Sequence, residues 1–365
     1  MADMKEETMK KLKIAIIGQG RSGRNIHGAY FKREDNIYFE VAVVVEKDAA
    51  RRERALIEHP GCEVCADYSE LFTRKDLDLV VNAAYSHRHY DVTRDLLLHG
   101  FNVLVEKPFA RNYYECTDLM RIAKEKGVVL AVFQQSFLAP YYTGTKEFLK
   151  TGKIGDVLQV NIRFNGFARR WDWQTLQCML GGGVYNTGPH PIGLALDFLD
   201  FDPHATVAFS KLARAFTSGD GEDCAKIILT APGKPVIDVE VNSNDAFSEG
   251  YTLKIFGTRG TYQCNMDAYK AKYFVPGENP DHAPIRKFLQ DENGLPVYCK
   301  ETPVVHEEEA PFNGEVFKAG TQYFYQMLYD TLANGAPLTI TPDMAAQIIR
   351  VIETVHAQNP LPTLF

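Results

Sequence analysis

Lys107 stands in Glu106-Lys107-Pro108, directly after the apolar run Asn102-Val103-Leu104-Val105. Open α/β sheets gather ligands at the carboxyl ends of their strands, so a lysine there can reach one. Its ammonium group can donate to an oxygen and stabilise negative charge developing on it. Far upstream, Gly18-Gln19-Gly20-Arg21-Ser22-Gly23 follows a second apolar run, Leu12–Ile17. Glycines in that position let backbone approach a pyrophosphate, and the N-terminus of a following helix favours its charge. Gly18, Gly20, Arg21, Ser22 and Gly23 are therefore candidate dinucleotide contacts. Glu46 closes the next apolar run, Phe39–Val45, where an acid would hydrogen-bond the ribose hydroxyls of NAD. Lys47, Arg51 and Arg52 lie close behind it and could instead hold the 2′-phosphate of NADP. The combination points to nicotinamide chemistry on an alcohol or carbonyl.

The elements needed to position these groups are legible in the spacing. Apolar runs at 12–17, 39–45, 77–81, 102–105 and 128–133 alternate with stretches of helical spacing at 24–32, 90–99 and 113–126. Strands alternating with helices imply parallel pairing and right-handed crossovers. A dinucleotide-binding domain is thus expected over 11–134, and a second α+β domain over 135–365. In the second part a helix is expected at 140–150. Strands follow at 157–164, 206–209, 225–229, 236–241 and 251–256, separated by turn residues such as Pro232-Gly233. The polar stretch 276–296 reads as a surface excursion. Helices at 320–334 and 342–358 close the chain, and the last could pack back on the first domain; Pro342 suits a first helical position.

Net charge is −7 over 365 residues, and the hydrophobic fraction is 45%. Neither favours nucleic acid or an anionic membrane surface as partner. The apolar runs are strand-length, too short to span a bilayer. The first seven residues carry acids and no apolar core, unlike a secretory signal, so a cytoplasmic protein is expected. Seven cysteines, scattered and odd in number, suggest no disulfide framework. Cys62-Glu63-Val64-Cys65 lacks a second ligand pair, and no metal site is expected. His306 before Glu307-Glu308-Glu309 reads as the start of a solvated acidic run.

Arg169-Arg170-Trp171-Asp172-Trp173-Gln174 holds the chain's only two tryptophans. Indole faces stack on sugar rings or other flat apolar groups, while Arg and Asp orient hydroxyls. Arg170, Trp171 and Trp173 are candidate substrate contacts.

The glycine turn, Ala84-Tyr85-Ser86-His87-Arg88-His89 and Glu106-Lys107-Pro108 resemble the Gfo/Idh/MocA oxidoreductases, the family of glucose–fructose oxidoreductase and inositol 2-dehydrogenase. The order continues with Gly152–Val157, Gly181-Gly182-Gly183, His190 and Gly257-Thr258-Arg259-Gly260. The resemblance implies a Rossmann domain followed by an α+β domain with a large open, mostly antiparallel sheet. It implies NAD or NADP and a cyclic sugar, polyol or glycoside as substrate. Lys107 matches the active-site lysine, and Ala84, His89 and Glu106 fall in segments near the cofactor. His190 matches the family histidine, and its imidazole can take the hydroxyl proton as general base. Tyr185 and Asn186 would help orient the ring. Asn186 stands where the family usually has an acid, and an amide cannot supply that charge. Pro189 and Pro191 cannot lie in a helix interior, so they mark a helix start with His190 in its first turn. Gln134-Gln135-Ser136-Phe137 stands where an arginine is common. Two other activities stay open: a ligand sensor that binds NAD without turnover, and a glycoside-cleaving enzyme that oxidises its substrate transiently. An open sheet face wants a partner, so a homodimer or homotetramer through that sheet is expected.

Overall fold

The computed structural model describes residues 10–364, apart from 248–249, 283–284 and 286–288; the expectation for the first seven residues lies outside them. Six strands form a parallel sheet: β1 (Leu12–Ile17), β2 (Phe39–Val45), β3 (Glu63–Cys65), β4 (Leu79–Asn82), β5 (Val103–Val105) and β6 (Leu130–Val132). Their order is β3-β2-β1-β4-β5-β6, so the strand order reverses between β1 and β4. Strands covered on both faces need apolar side chains throughout, and every residue of β4, β5 and β6 is buried. β3, not expected from the sequence, is three residues long and pairs with Val43–Val45 of β2. It carries Cys65, which makes the CxxC segment a strand and its turn.

The glycine turn leads into a π-helical stretch, Gly23–Gly28, and then α1 (Ala29–Phe31), in place of the regular helix expected there. α2 (Ala49–Glu58) and α3 (His89–Leu98) follow. α4 (Tyr113–Lys126) has the ends its sequence calls for. The Asn112 side chain accepts from Glu115 N–H, and Gly127 closes the helix at φ 67°.

The second sheet has eight strands: β7 (Val157–Arg163), β8 (Thr206–Ala213), β9 (Cys224–Thr230), β10 (Val236–Asn242), β11 (Leu253–Gly257), β12 (Gly260–Cys264), β13 (Ala268–Tyr273) and β14 (His306–Pro311). Their order is β14-β13-β12-β11-β7-β10-β9-β8; β7 and β10 are parallel and the other pairs antiparallel. Helices α5 (Pro140–Lys150), α6 (Gly183–Asn186), α7 (Pro189–Phe198), α8 (Val316–Asn334) and α9 (Pro342–Gln358) complete the chain. Successive strand residues alternate between faces. Val160, Ile162, Ile227, Leu229, Ile237 and Val239 are buried, whereas Arg163, Lys226, Asp238 and Glu240 lie between them on the other face. There Lys226 Nζ donates to Asp238 and Glu240 at 2.8 and 2.7 Å.

The acidic run is solvated as expected, with Glu307 and Glu309 exposed, and it forms the edge strand β14. Glu307 pairs with Lys272 at 2.6 Å and Glu309 with Lys270 at 3.4 Å, both lysines on β13, and Glu308 bonds Lys153 and Tyr269. Opposite charges across a strand pair offset the weak strand propensity of glutamate. The closing helices return to the first sheet. Phe324, Tyr325 and Leu328 of α8 share a core with Ile14, Ile16, Phe39 and Leu104, and α9 packs on α4, α7 and β8. No helix among the described residues is long and apolar enough to cross a membrane.

Candidate active site

Three loops leave the carboxyl ends of β1, β4 and β5 side by side, and the first makes a cradle. Gly18 sits at φ +92°, and a Cβ there would lie 2.6 Å from Ala83 O. Gly23 packs on Gly18 so closely that its Cβ would be 1.8 Å from the carbonyl oxygen. Gly20 faces open space, with nothing within 4 Å of its Cβ position. Room above a bare backbone is what a pyrophosphate requires, so the residues present fit a dinucleotide. Glu46 turns toward this loop: its carboxylate accepts from Gln19 N–H at 2.8 Å and Asp48 N–H at 3.1 Å. Arg51 lies 3.6 Å from the same carboxylate. Gly18, Gly20, Arg21, Ser22, Glu46 and Ala84 are the residues that would hold the cofactor.

Two residues expected to touch it are buried below the loops. His89 is buried, with Nδ1 2.6 Å from Pro108 O and Nε2 3.2 Å from Ala84 O. Burial pushes its pKa down, and the neutral ring can donate to only one of these carbonyls, the shorter contact being to Pro108 O. Glu106 is buried as well. It accepts from Lys107 N–H at 3.0 Å and meets His27 Nε2 at 3.0 Å, while His27 Nδ1 meets Tyr325 OH at 2.7 Å. Burial alone would raise the Glu106 pKa, but the bond to His27 brings it below the ordinary value. Glu106 is thus a support for the Lys107 backbone. Its partner His27 comes from the π-helical stretch and is held in turn by Tyr325 of α8, and no local pattern announces either.

Lys107 and His190 come together from the two halves of the chain. The Lys107–Pro108 bond is cis. Lys107 Nζ donates to Asn186 O at 2.6 Å. Burial lowers the Lys107 pKa; Glu106 opposes this, and the Arg21 and Arg170 cations add to it. His190 occupies the first turn of α7 between its two prolines, where missing N–H groups cost no helical bond. Its Nδ1 lies 2.5 Å from Ser136 Oγ, and its ring stacks on Phe164 at 6.3 Å. Burial pushes His190 down to about 3, with the Lys107 charge acting in the same direction. The ring is therefore neutral near pH 7. Ser136 was not singled out in the sequence, where its segment showed only as a departure from a family pattern. Asn186 ends α6 and His190 is the second residue of α7, so the two are on separate helices.

Beside these groups opens a cavity of about 870 Å³, lined by Arg170, Gln174, Gly183, Asn186, Phe164 and Glu222 among others. Asn186 is fixed by Gln174, whose Nε2 donates to its Oδ1 at 2.7 Å. The Trp171 ring does not line the cavity and is 80% exposed, while Trp173 packs edge-on against Tyr85 at 5.1 Å. Tyr185 also points elsewhere: its hydroxyl donates to Arg111 O at 2.7 Å and its ring stacks on His356. A helical turn separates the directions of neighbouring side chains, so Tyr185 cannot share the heading of Asn186. Glu222 is the acid that sequence reasoning missed. Buried at the cavity wall, it accepts from Val184 N–H at 2.8 Å and lies 3.4 Å from His356 Nε2. Burial pulls the His356 pKa down, but Glu222 more than offsets this and the net shift is upward. A Cβ on Gly182, at φ +101°, would lie 2.5 Å from the Glu222 carboxylate, so the triple glycine is needed for this clasp. Among the described residues, no group of three or more His, Cys, Asp or Glu could hold a metal ion.

Comparison with known proteins agrees with this architecture. Residues 12–134 match the family model described as an oxidoreductase family with an NAD-binding Rossmann fold. Residues 142–263 match the GFO/IDH/MocA C-terminal domain. The chain is 30% identical over 262 residues to an uncharacterised oxidoreductase of Schizosaccharomyces pombe, covering 70% of each. It is 22% identical over 347 residues to the scyllo-inositol 2-dehydrogenase (NADP(+)) of Bacillus subtilis, covering 94% of this chain and 92% of the relative. The solved structure of the Bacillus subtilis protein yvaA superposes with a TM-score of 0.78 at 19% identity, covering 98% and 99% of the two chains.

Proposed function

This chain belongs to the Gfo/Idh/MocA family of NAD(P)-dependent oxidoreductases, and we propose that it interconverts a secondary alcohol and a ketone on a cyclic sugar, polyol or glycoside. The observation that carries this reading is the nearness of Lys107 and a neutral His190, the lysine bonded to Asn186, which lines the cavity. A bound nicotinamide would supply the two-electron acceptor. Lys107 donates a hydrogen bond to the reacting oxygen and stabilises charge there. His190 takes the hydroxyl proton at Nε2, which requires that Nδ1 carry its own hydrogen toward Ser136. Asn186 and Arg170 orient neighbouring hydroxyls from the cavity wall. Glu46 disfavours a 2′-phosphate, so NAD is the preferred cofactor, although Arg51 stands next to it and the Bacillus subtilis relative is named for NADP. The outward face of the second sheet, with Leu158 and Phe209 more than half exposed, is the surface we assign to a homodimer or homotetramer.

A panel of cyclic polyols, hexoses and glycosides, followed by nicotinamide absorbance, tests the activity. Absorbance change in proportion to substrate consumed is the expected result. Glycoside consumed with no net change would mean transient oxidation with recycled cofactor. Cofactor binding with no turnover of any member would replace the dehydrogenase with a sensor.

A further inference from the structure

The cavity is much longer than the reacting centre needs. It runs across one end of the second sheet, where β9 begins, β10 and β7 end, β11 begins and β12 ends. Glu222 and Asp223 line it beside β9, Asn242 beside β10, Asn165 beside β7, Thr252 beside β11 and Asn265 beside β12. Five adjacent strands are four spacings of ~4.8 Å, which makes the trough ~19 Å long. Asn186 and Phe164, which mark the reacting end, sit by β10 and β7. The remaining stretch, toward β11 and β12, has no part in the chemistry described above. A volume of about 870 Å³ is also at the upper end for a site that encloses a single compact ligand.

The distal stretch is furnished for a polar ring. Phe247 lines it yet is 88% exposed, an apolar ring held out in solvent by the bond from its own N–H to Asp245 at 3.0 Å. Asn165 donates to Asp245 at 3.0 Å and ties that loop to the end of β7. Opposite, the turn after β12 is rigid: Asn265 Oδ1 accepts from the N–H groups of Asp267 and Ala268, each at 2.8 Å. The Asp267 carboxylate, at the cavity wall, accepts no hydrogen bond among the described residues. An exposed aromatic face, an uncommitted carboxylate and the amide N–H groups of Asn265, a cavity-lining residue, together suit a sugar ring. One surface of such a ring is apolar, and its rim is hydroxyl.

We infer that the trough binds a substrate of at least two rings, a disaccharide or longer glycoside, with its second ring between Phe247 and Asp267. The inference rests on the sugar reading of the site and narrows it. Calorimetric titration of the full chain loaded with NADH tests it without requiring turnover. The probes are gluco-, galacto- and manno-configured methyl glycosides, each paired with a disaccharide carrying the same non-reducing ring. At least one disaccharide should bind about tenfold more tightly than its methyl glycoside, a difference of ~1.4 kcal/mol. Phe247→Ala and Asp267→Ala, both at exposed positions, should each remove most of that advantage and leave methyl glycoside affinity near the parent value. Equal or weaker disaccharide binding, an advantage that survives both substitutions, or no binding by any pair would overturn the inference. A binding advantage without turnover of any probe would leave the two-ring site standing and refute the dehydrogenase reading. Turnover of methyl glycosides with no disaccharide preference would do the reverse.

Discussion

Ser136→Ala should slow the chemical step without weakening cofactor binding. The Ser136 hydroxyl meets His190 Nδ1 at 2.5 Å in a nearly buried setting, with Ser136 only 8% exposed. A neutral imidazole carries one hydrogen, and His190 can accept a proton at Nε2 only while Nδ1 holds that hydrogen. The serine oxygen stabilises this tautomer. Leaving a buried donor without its acceptor costs ~1–3 kcal/mol. At 1.36 kcal/mol per decade that is a ~5- to ~160-fold fall in kcat, and a water entering the vacated space would hold the loss to the lower end. The assay is nicotinamide absorbance at saturating cofactor, with NADH affinity measured separately by fluorescence. KM and NADH affinity should stay close to the parent values, and Ser136→Thr, which keeps the hydroxyl, should recover most of the rate. Unchanged kcat in Ser136→Ala would show that the serine does not govern His190. Equal loss in the alanine and threonine variants would point to packing rather than the hydrogen bond.

Lys107→Ala should lower turnover by ~10²–10³ while NADH affinity persists, because the glycine turn and not the amine faces the pyrophosphate; parallel loss of cofactor affinity would make Lys107 a cofactor clamp. Glu46→Gln should strengthen NADPH binding, since a like charge at ~4 Å costs ~1–4 kcal/mol and Arg51 would be released toward the phosphate; titration of NADPH into parent and variant reads the shift, and no change would remove Glu46 as discriminator. Asn186→Asp should raise the His190 pKa from about 3, so the acid limb of the oxidation profile, which falls near that pH in the parent, should move up in pH, because imidazole must be neutral to accept a proton; an active variant with an unmoved profile would mean that positions 186 and 190 do not communicate. The depressed His190 pKa also destabilises the fold in acid: its contribution is complete above ~6.5, the unfolded value, and is lost as pH falls toward about 3. His190→Gln should therefore flatten the acid limb of a thermal-stability profile, and an unchanged limb would refute the burial of the ring.

The first sheet apart from β3, together with α4, α5 and α9, was legible because the signals are local. Apolar runs bounded by turns, helical spacing at 113–126 and 140–150, and Pro342 at a first helical position each act within a few residues. Lys107 and the glycine turn were legible for the same reason, since the end of a parallel strand is a defined place. β3 and the strands from β12 to β14 were not. They are short or charged, and what holds β13 to β14 is lysine facing glutamate across a register that only the folded sheet creates. The family pattern located the neighbourhoods of His89, Glu106 and Tyr185 but not the directions of their side chains. Those directions depend on which hydrogen-bond partner lies within reach: Pro108 O, His27 and Arg111 O, respectively. Ser136 reaches His190 across 54 residues of chain, and Glu222 reaches Val184 across 38. The sequence by itself therefore determined which cofactor class the chain can cradle and which amine stands at the strand end. Only the tertiary structure decided which side chains set the protonation and posture of that site, because burial and hydrogen-bond partners are properties of the packed chain.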